Sequence, residues 1–187
     1  MSEDTAAAAA TTATEEQDGG NNNGNSSDDS GAYLVVRIRG QADVPYWAVH
    51  TMSLLKLERK YRATILPAKE NTLGMLSKIK HYVAWTRLDA ELAQEIIEKK
   101  ARKSGYRRIT QEDIKGLGFD GTKQMAESLS RGSSALSKLK PLKPWFALAP
   151  PKHGFRRSTK RLAGQKGVLG NNDELGEIVR RMMAVAE

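Results

Sequence analysis

The sequence predicts an α+β fold: a small βαβαβ core over residues 33–88, followed by a helical stretch and then a strongly basic extension. Three observations carry that prediction. Apolar residues fall into three short strand-like runs, the first of them alternating with period two. The segments between those runs carry apolar residues at spacings of three and four, as an amphipathic helix does. Charge of one sign gathers toward the C-terminal end, where helix and strand signals fade.

The first strand is YLVVRIRG, with Leu34, Val36 and Ile38 on one face and Val35, Arg37 and Arg39 on the other. Two helices covering the aliphatic face would leave the two arginines outward. Asp43 then reads as the cap of a helix with Pro45 in its first turn, where a missing N–H costs nothing. Val44, Ala48, Met52 and Leu55 give that helix its apolar stripe. YRATILPAK is a second strand, stopped by Pro67. Asn71 is placed to cap a short helix through Leu73, Leu76 and Ile79, and YVAWTRL is a third strand.

Residues 89–140 read as a helical insertion. Leu88, Leu92 and Ile96 mark a helix from about Asp89, and Lys99, Lys100, Arg102 and Lys103 close it with charges that complement the helix dipole. Thr110 and Asp113 have capping-box spacing for a short helix. A further helix through Met125 and Leu129 is interrupted at Gly132-Ser133-Ser134. Residues 141–187 read as a basic loop and a last helix, capped by Asp173 and striped by Leu175, Ile178, Val179 and Met182. Residues 1–32 hold Ala, Thr, Gly, Asn, Ser and acids with almost no large apolar side chain, so an acidic, disordered tail is expected there.

Charge narrows the function. The chain of 187 residues carries +8, but seven of its 22 acids and none of its 30 Lys and Arg lie in residues 1–32, so the remainder carries +15. Such an excess calls for a polyanionic partner. No apolar run approaches the roughly 20 residues of a membrane span, and the acidic start lacks the order of a secretory signal, so no membrane partner is expected. The absence of cysteine excludes disulfides, thiolate metal sites and cysteine catalysis.

The strongest functional signal runs from Ser128 to Asn172, where ten Lys or Arg meet no acid. Four prolines (Pro141, Pro144, Pro150, Pro151) keep this stretch extended, as suits cations tracking phosphates. Within it, Lys152, His153, Phe155, Arg156, Arg157, Lys160, Arg161 and Lys166 are the expected RNA contacts, with Trp145, Phe146 and Phe155 available to stack on bases or to anchor the core. Lys56, Arg59, Lys60 and Arg62 form a second basic cluster between the first helix and the second strand, and Arg37 and Arg39 extend the surface if the sheet face is open. No zinc finger or dimeric recognition helix is visible, which favours structured RNA over sequence-specific DNA.

Other motifs do not carry chemistry. Gly116 to Gly121 matches G-x-G-x-x-G, but a nucleotide turn must leave a strand, and TQEDIK before it reads as a helix. His50, His81 and His153 lack ligand spacing, and no base accompanies Ser133-Ser134 or Ser158-Thr159. No enzyme, cofactor, metal or small-molecule substrate is expected. The competing readings are a free RNA-binding factor and a nucleotide-binding enzyme using the 116–121 turn.

Two stretches resemble a known family. GQADVPYWAVHTMSLLKLERKYRATILPAKENTLGMLSKIKHYVAW, with Gly74-Met75, Lys78 and Val83 at signature positions, is similar to the core of the large-subunit ribosomal protein family L-thirty, called L-seven in eukaryotes. FALAPPKHGFRRSTK and NDELGEIVRRM resemble the tail of its archaeal and eukaryotic form. The resemblance covers residues 33–187. It implies a three-stranded antiparallel sheet in the order 3-1-2 with two helices on one face, a ferredoxin-like unit. It also implies a cytoplasmic, ribosomal location, large-subunit ribosomal RNA as partner, the small ribosomal RNA of that subunit as a second contact, neighbouring ribosomal proteins, and Lys78 among the RNA contacts. Two departures stand out: His153-Gly154 replaces a pair of glycines, and the acidic tail replaces a basic N-terminal helix. The second points to an archaeal-type member.

Overall fold

A computed structural model describes residues 31–184. The acidic tail therefore lies outside the described residues, except that the first strand already includes Ala32. The strands are β1 (Ala32–Arg37), β2 (Arg62–Pro67), β3 (Val83–Arg87), β4 (Phe146–Ala147), β5 (Ser158–Leu162) and β6 (Gly167–Asn171). The helices are α1 (Tyr46–Leu54), α2 (Glu70–Lys78), α3 (Ala90–Lys100), α4 (Gln111–Gly116), α5 (Thr122–Ser130) and α6 (Leu175–Met183).

The six strands form one sheet in the order β4-β2-β1-β3-β6-β5. At its centre β1 pairs antiparallel with both β2 and β3, which is the expected 3-1-2 arrangement. Three strands beyond the expected ones widen it. β4 pairs antiparallel with β2 through Ala63 and Phe146. β6 runs parallel to β3, with Ala84 opposite Gly170, and β5 lies outside β6.

Both faces of the sheet are covered, which corrects the expected placement of the helices. Val35 packs with Ala48, Met52, Leu55, Leu57, Leu76 and Ile79, so α1 and α2 cover the face that also carries Arg37. Leu34, Val36 and Ile38 point the other way, into a larger core built by α3, α5, α6, Phe146 and Leu169. A strand buried on both sides has apolar neighbours wherever it turns, so alternation alone does not say which helices lie on which face. The last helix buries Leu175, Ile178, Val179 and Met182 and returns to the core beside α3, where Arg180 meets Glu95 at 3.4 Å.

The caps also differ in detail. Asp43 adopts φ 54° and does not cap α1; Pro45 occupies the position before its first turn and accepts from the Ala48 and Val49 N–H groups. Lys69, not Asn71, precedes α2. Glu174, not Asp173, precedes α6, and its N–H donates to Asn172 Oδ1. The Thr110–Asp113 pair forms as expected: the Asp113 carboxylate accepts from the Thr110 hydroxyl at 2.6 Å and its N–H at 3.1 Å. Gly116 ends α4, Gly118 turns at φ 85°, and Gly121 opens α5, so the glycine motif joins two helices and no strand leads into it.

Candidate nucleic-acid interface

Arg37 departs furthest from expectation. It is 1% exposed. Its guanidinium donates to the carbonyls of Leu57 (2.9 Å), Glu58 (2.7 Å), Arg39 (3.0 Å) and Gly40 (2.9 Å). With burial and the nearby Arg62 charge both lowering its pKa, it is a cation enclosed by backbone dipoles and not a surface contact. Its role is positional, since it ties the end of β1 to the loop bearing Lys56, Arg59 and Lys60. Arg39 is half-buried, its guanidinium 5.5 Å from the centre of the Tyr82 ring.

In that loop, Lys56, Arg59 and Lys60 are exposed, and Lys56 sits at φ 62°. Arg62 is more enclosed, paired with Glu58 at 2.9 Å and lying 4.1 Å above the Trp145 ring. Lys60 lies 4.7 Å over Tyr61, and Tyr61 stacks on Phe155 at 6.4 Å between centroids. That stack brings the 56–62 loop against the start of the C-terminal basic segment at one end of the sheet, from which β5 carries Lys160 and Arg161 along the far edge. Phe155 is consequently half-buried against the core. Phe146 is fully buried in β4, and Trp145 is held between Arg62 and Tyr106, so of the two stacking candidates beside Phe155 one is a core anchor.

The C-terminal cations follow from the turn after Pro151. His153 (φ 61°) and Gly154 (φ 70°) are both left-handed, and the Gly154 N–H donates to the Pro151 carbonyl at 3.0 Å. The chain then runs outward through Arg156 and Arg157 into β5. Lys152, His153, Arg156, Arg157, Lys160, Arg161 and Lys166 are all exposed. What was expected as an extended loop is here an edge strand with cations along it. Its closeness to β6 depends on Gly167, where a Cβ would run into the Arg161 carbonyl. Arg157 bonds Glu174 at 2.6 Å, and with Arg156, Arg181 and Glu177 it borders a cleft of about 250 Å³ beside α6. Lys78 stands apart on the α1–α2 layer, 5.9 Å from the Trp47 ring. Among the described residues no group of His, Asp and Glu has the makings of a metal site, and no helix is long and apolar enough to cross a membrane.

The described residues thus form a six-stranded α+β domain with a cation-bearing edge strand. The pattern of ribosomal protein L30p/L7e matches residues 33–83. The large ribosomal subunit protein uL30 of Nitrosopumilus maritimus is 68% identical over 154 residues, covering 82% of this chain and 99% of that protein. The chain belongs to the ribosomal protein L30p/L7e family. The uL30 of Cenarchaeum symbiosum is 57% identical over the same shares, and that of Staphylothermus marinus 36% identical over 81% of this chain and 98% of its own. These are archaeal relatives, in line with the expected archaeal type. In the L30p/L7e frame, the turn expected to use two glycines is made here by His153 and Gly154, both at positive φ.

Tyr61 is the residue that sequence reading missed at the junction. Its signal was weak: an aromatic before β2 with nothing local to mark Phe155 as its partner.

Proposed function

We propose that this chain is a structural constituent of the large ribosomal subunit, held in the cytoplasmic ribosome by ribosomal RNA against its basic sheet edge. The observation that carries this is the Tyr61–Phe155 stack, which unites the 56–62 loop with the acid-free 128–172 segment. In this reading the RNA runs across that end of the sheet, from Lys56, Arg59 and Lys60 past Lys152, His153, Arg156 and Arg157 to Lys160, Arg161 and Lys166 at the β5 edge. Neutralising its phosphates releases counterions, so binding weakens steeply with salt. Lys78 belongs to a separate contact, and Arg37 acts only by fixing the loop. Three relatives named as large ribosomal subunit proteins, matched nearly end to end, support the assignment. Neighbouring ribosomal proteins and the small ribosomal RNA of the subunit are its further partners in this reading.

Sedimentation tests it. The chain should remain with large subunits through a moderate salt wash. Recovery mainly in light fractions, with intact subunits below, would count for a factor outside the ribosome.

A further inference from the structure

Lys100, the last residue of α3, is 8% exposed and is the single buried lysine among the described residues. It forms no ion pair among them. Burial, with Arg102 and Lys99 nearby, lowers its pKa, so its surroundings oppose the charge it carries. Among the described residues no buried side-chain nitrogen lacks a hydrogen-bond partner, so the Lys100 stem is buried while its charged end reaches solvent. Its side chain lines a cavity of about 120 Å³ together with Arg102, Tyr106, Lys143, Trp145 and Ala147.

The backbone builds this cavity from distant segments. The Lys143 N–H donates to the Arg102 carbonyl at 3.0 Å, and Lys103 bridges to Leu142. Lys143 Nζ is thereby held 3.1 Å from the Tyr106 ring centre and 5.3 Å from that of Trp145. Arg102 donates to the carbonyls of Lys99 and Ala101, which fixes its guanidinium at the end of α3. Neither Arg102 nor Lys143 has an acidic partner among the described residues. Three cations thus share one aromatic-walled hollow with no acidic partner among the described residues, Lys143 facing two rings and Arg102 two carbonyls. The hollow is far below the roughly 300–1,000 Å³ of pockets that enclose a small organic ligand, so it suits a single anionic group.

We propose that this hollow is a phosphate site, in which Lys100, Arg102 and Lys143 receive a phosphate of the RNA backbone. It rests on the reading of the chain as an RNA-binding ribosomal protein, and it extends the footprint into the 89–140 insertion. An entering phosphate balances three charges that lack an acidic partner, through charge-assisted bonds.

The test is the full chain carrying Lys100→Met and Lys143→Met, which keep the apolar stems and remove the charges. Binding to large-subunit ribosomal RNA is measured across salt concentrations beside the unaltered chain. The expected result is several-fold weaker binding and a log–log salt slope shallower by about one, with a melting temperature unchanged or higher. Unchanged affinity and slope would overturn the site while leaving the Arg156–Arg161 surface intact. If inorganic phosphate raises the melting temperature of the unaltered chain but not the variant, while RNA binding stays the same, the site takes free phosphate and the RNA assignment fails. An unaltered chain that does not bind the RNA defeats both this proposal and the function on which it rests.

Discussion

Arg37 shows how one residue's meaning depends on its partners. By spacing it sits on a strand face opposite three aliphatics, and a polar face on a small sheet is ordinarily solvated. In the fold, carbonyls at the ends of β1 and of the following loop converge on it. No local pattern reveals such convergence, because Leu57 and Glu58 lie 20 and 21 residues away. Arg37→Met should leave those carbonyls without donors and lower stability by about 3 kcal/mol or more in urea unfolding. Arg37→Lys should rescue little, since an ammonium lacks the planar fork; a variant within about 1 kcal/mol of the parent would contradict this role. Asp113 gives a second residue-scale prediction. Hydrogen bonds from Thr110 and from Lys103 hold its pKa at about 2, below the usual 3.8. Because the folded value is depressed, its contribution is present above about pH 4 and is lost as pH falls toward 2. Thr110→Ala should move the titration seen by carboxyl NMR upward, toward 3.8; an unmoved titration would place the cause elsewhere.

At the scale of elements, β1, β2, β3 and the helices between them were legible because their signals are local: apolar runs, helical spacing, prolines and glycines at the ends. The strands beyond them were not. β4 is two residues long and exists through its pairing with Arg62 and Ala63. β5 reads STKRL, whose single apolar residue, Leu162, packs against the core, too little to mark a strand in sequence. β6 is specified by β3, eighty-odd residues earlier in the chain. The same distance hid the candidate site: the sequence displays its cations, but not that Tyr61 meets Phe155 or that Arg102 meets Lys143. Gly167 is the element-scale test. Gly167→Ala would push a methyl into the Arg161 carbonyl, so a loss of about 2 kcal/mol is expected, together with weaker RNA binding as β5 is displaced. Melting and binding both at parental values would show that β5 does not depend on that approach.

For the whole molecule, charge segregation is what a count of +8 conceals. The basic edge and the apolar core are separable: Arg156, Arg157, Lys160 and Arg161 are exposed, and the ion pair they contain, Arg157 with Glu174, lies at the surface, where such pairs contribute about 0–1 kcal/mol. Reversing all four to Glu should therefore leave helical content and melting nearly as they are. RNA binding should fall by at least about tenfold at moderate salt, with a clearly shallower salt dependence. Loss of fold in that variant would mean the edge is part of the core's support.

The most direct measurement is a map of protein–RNA cross-links in isolated large subunits. Cross-linked peptides should fall in residues 56–62 and 152–166, on both sides of the Tyr61–Phe155 stack and to the same region of RNA. Cross-links absent from both segments, or confined to the α1–α2 layer around Lys78, would contradict the basic sheet edge as the surface that binds.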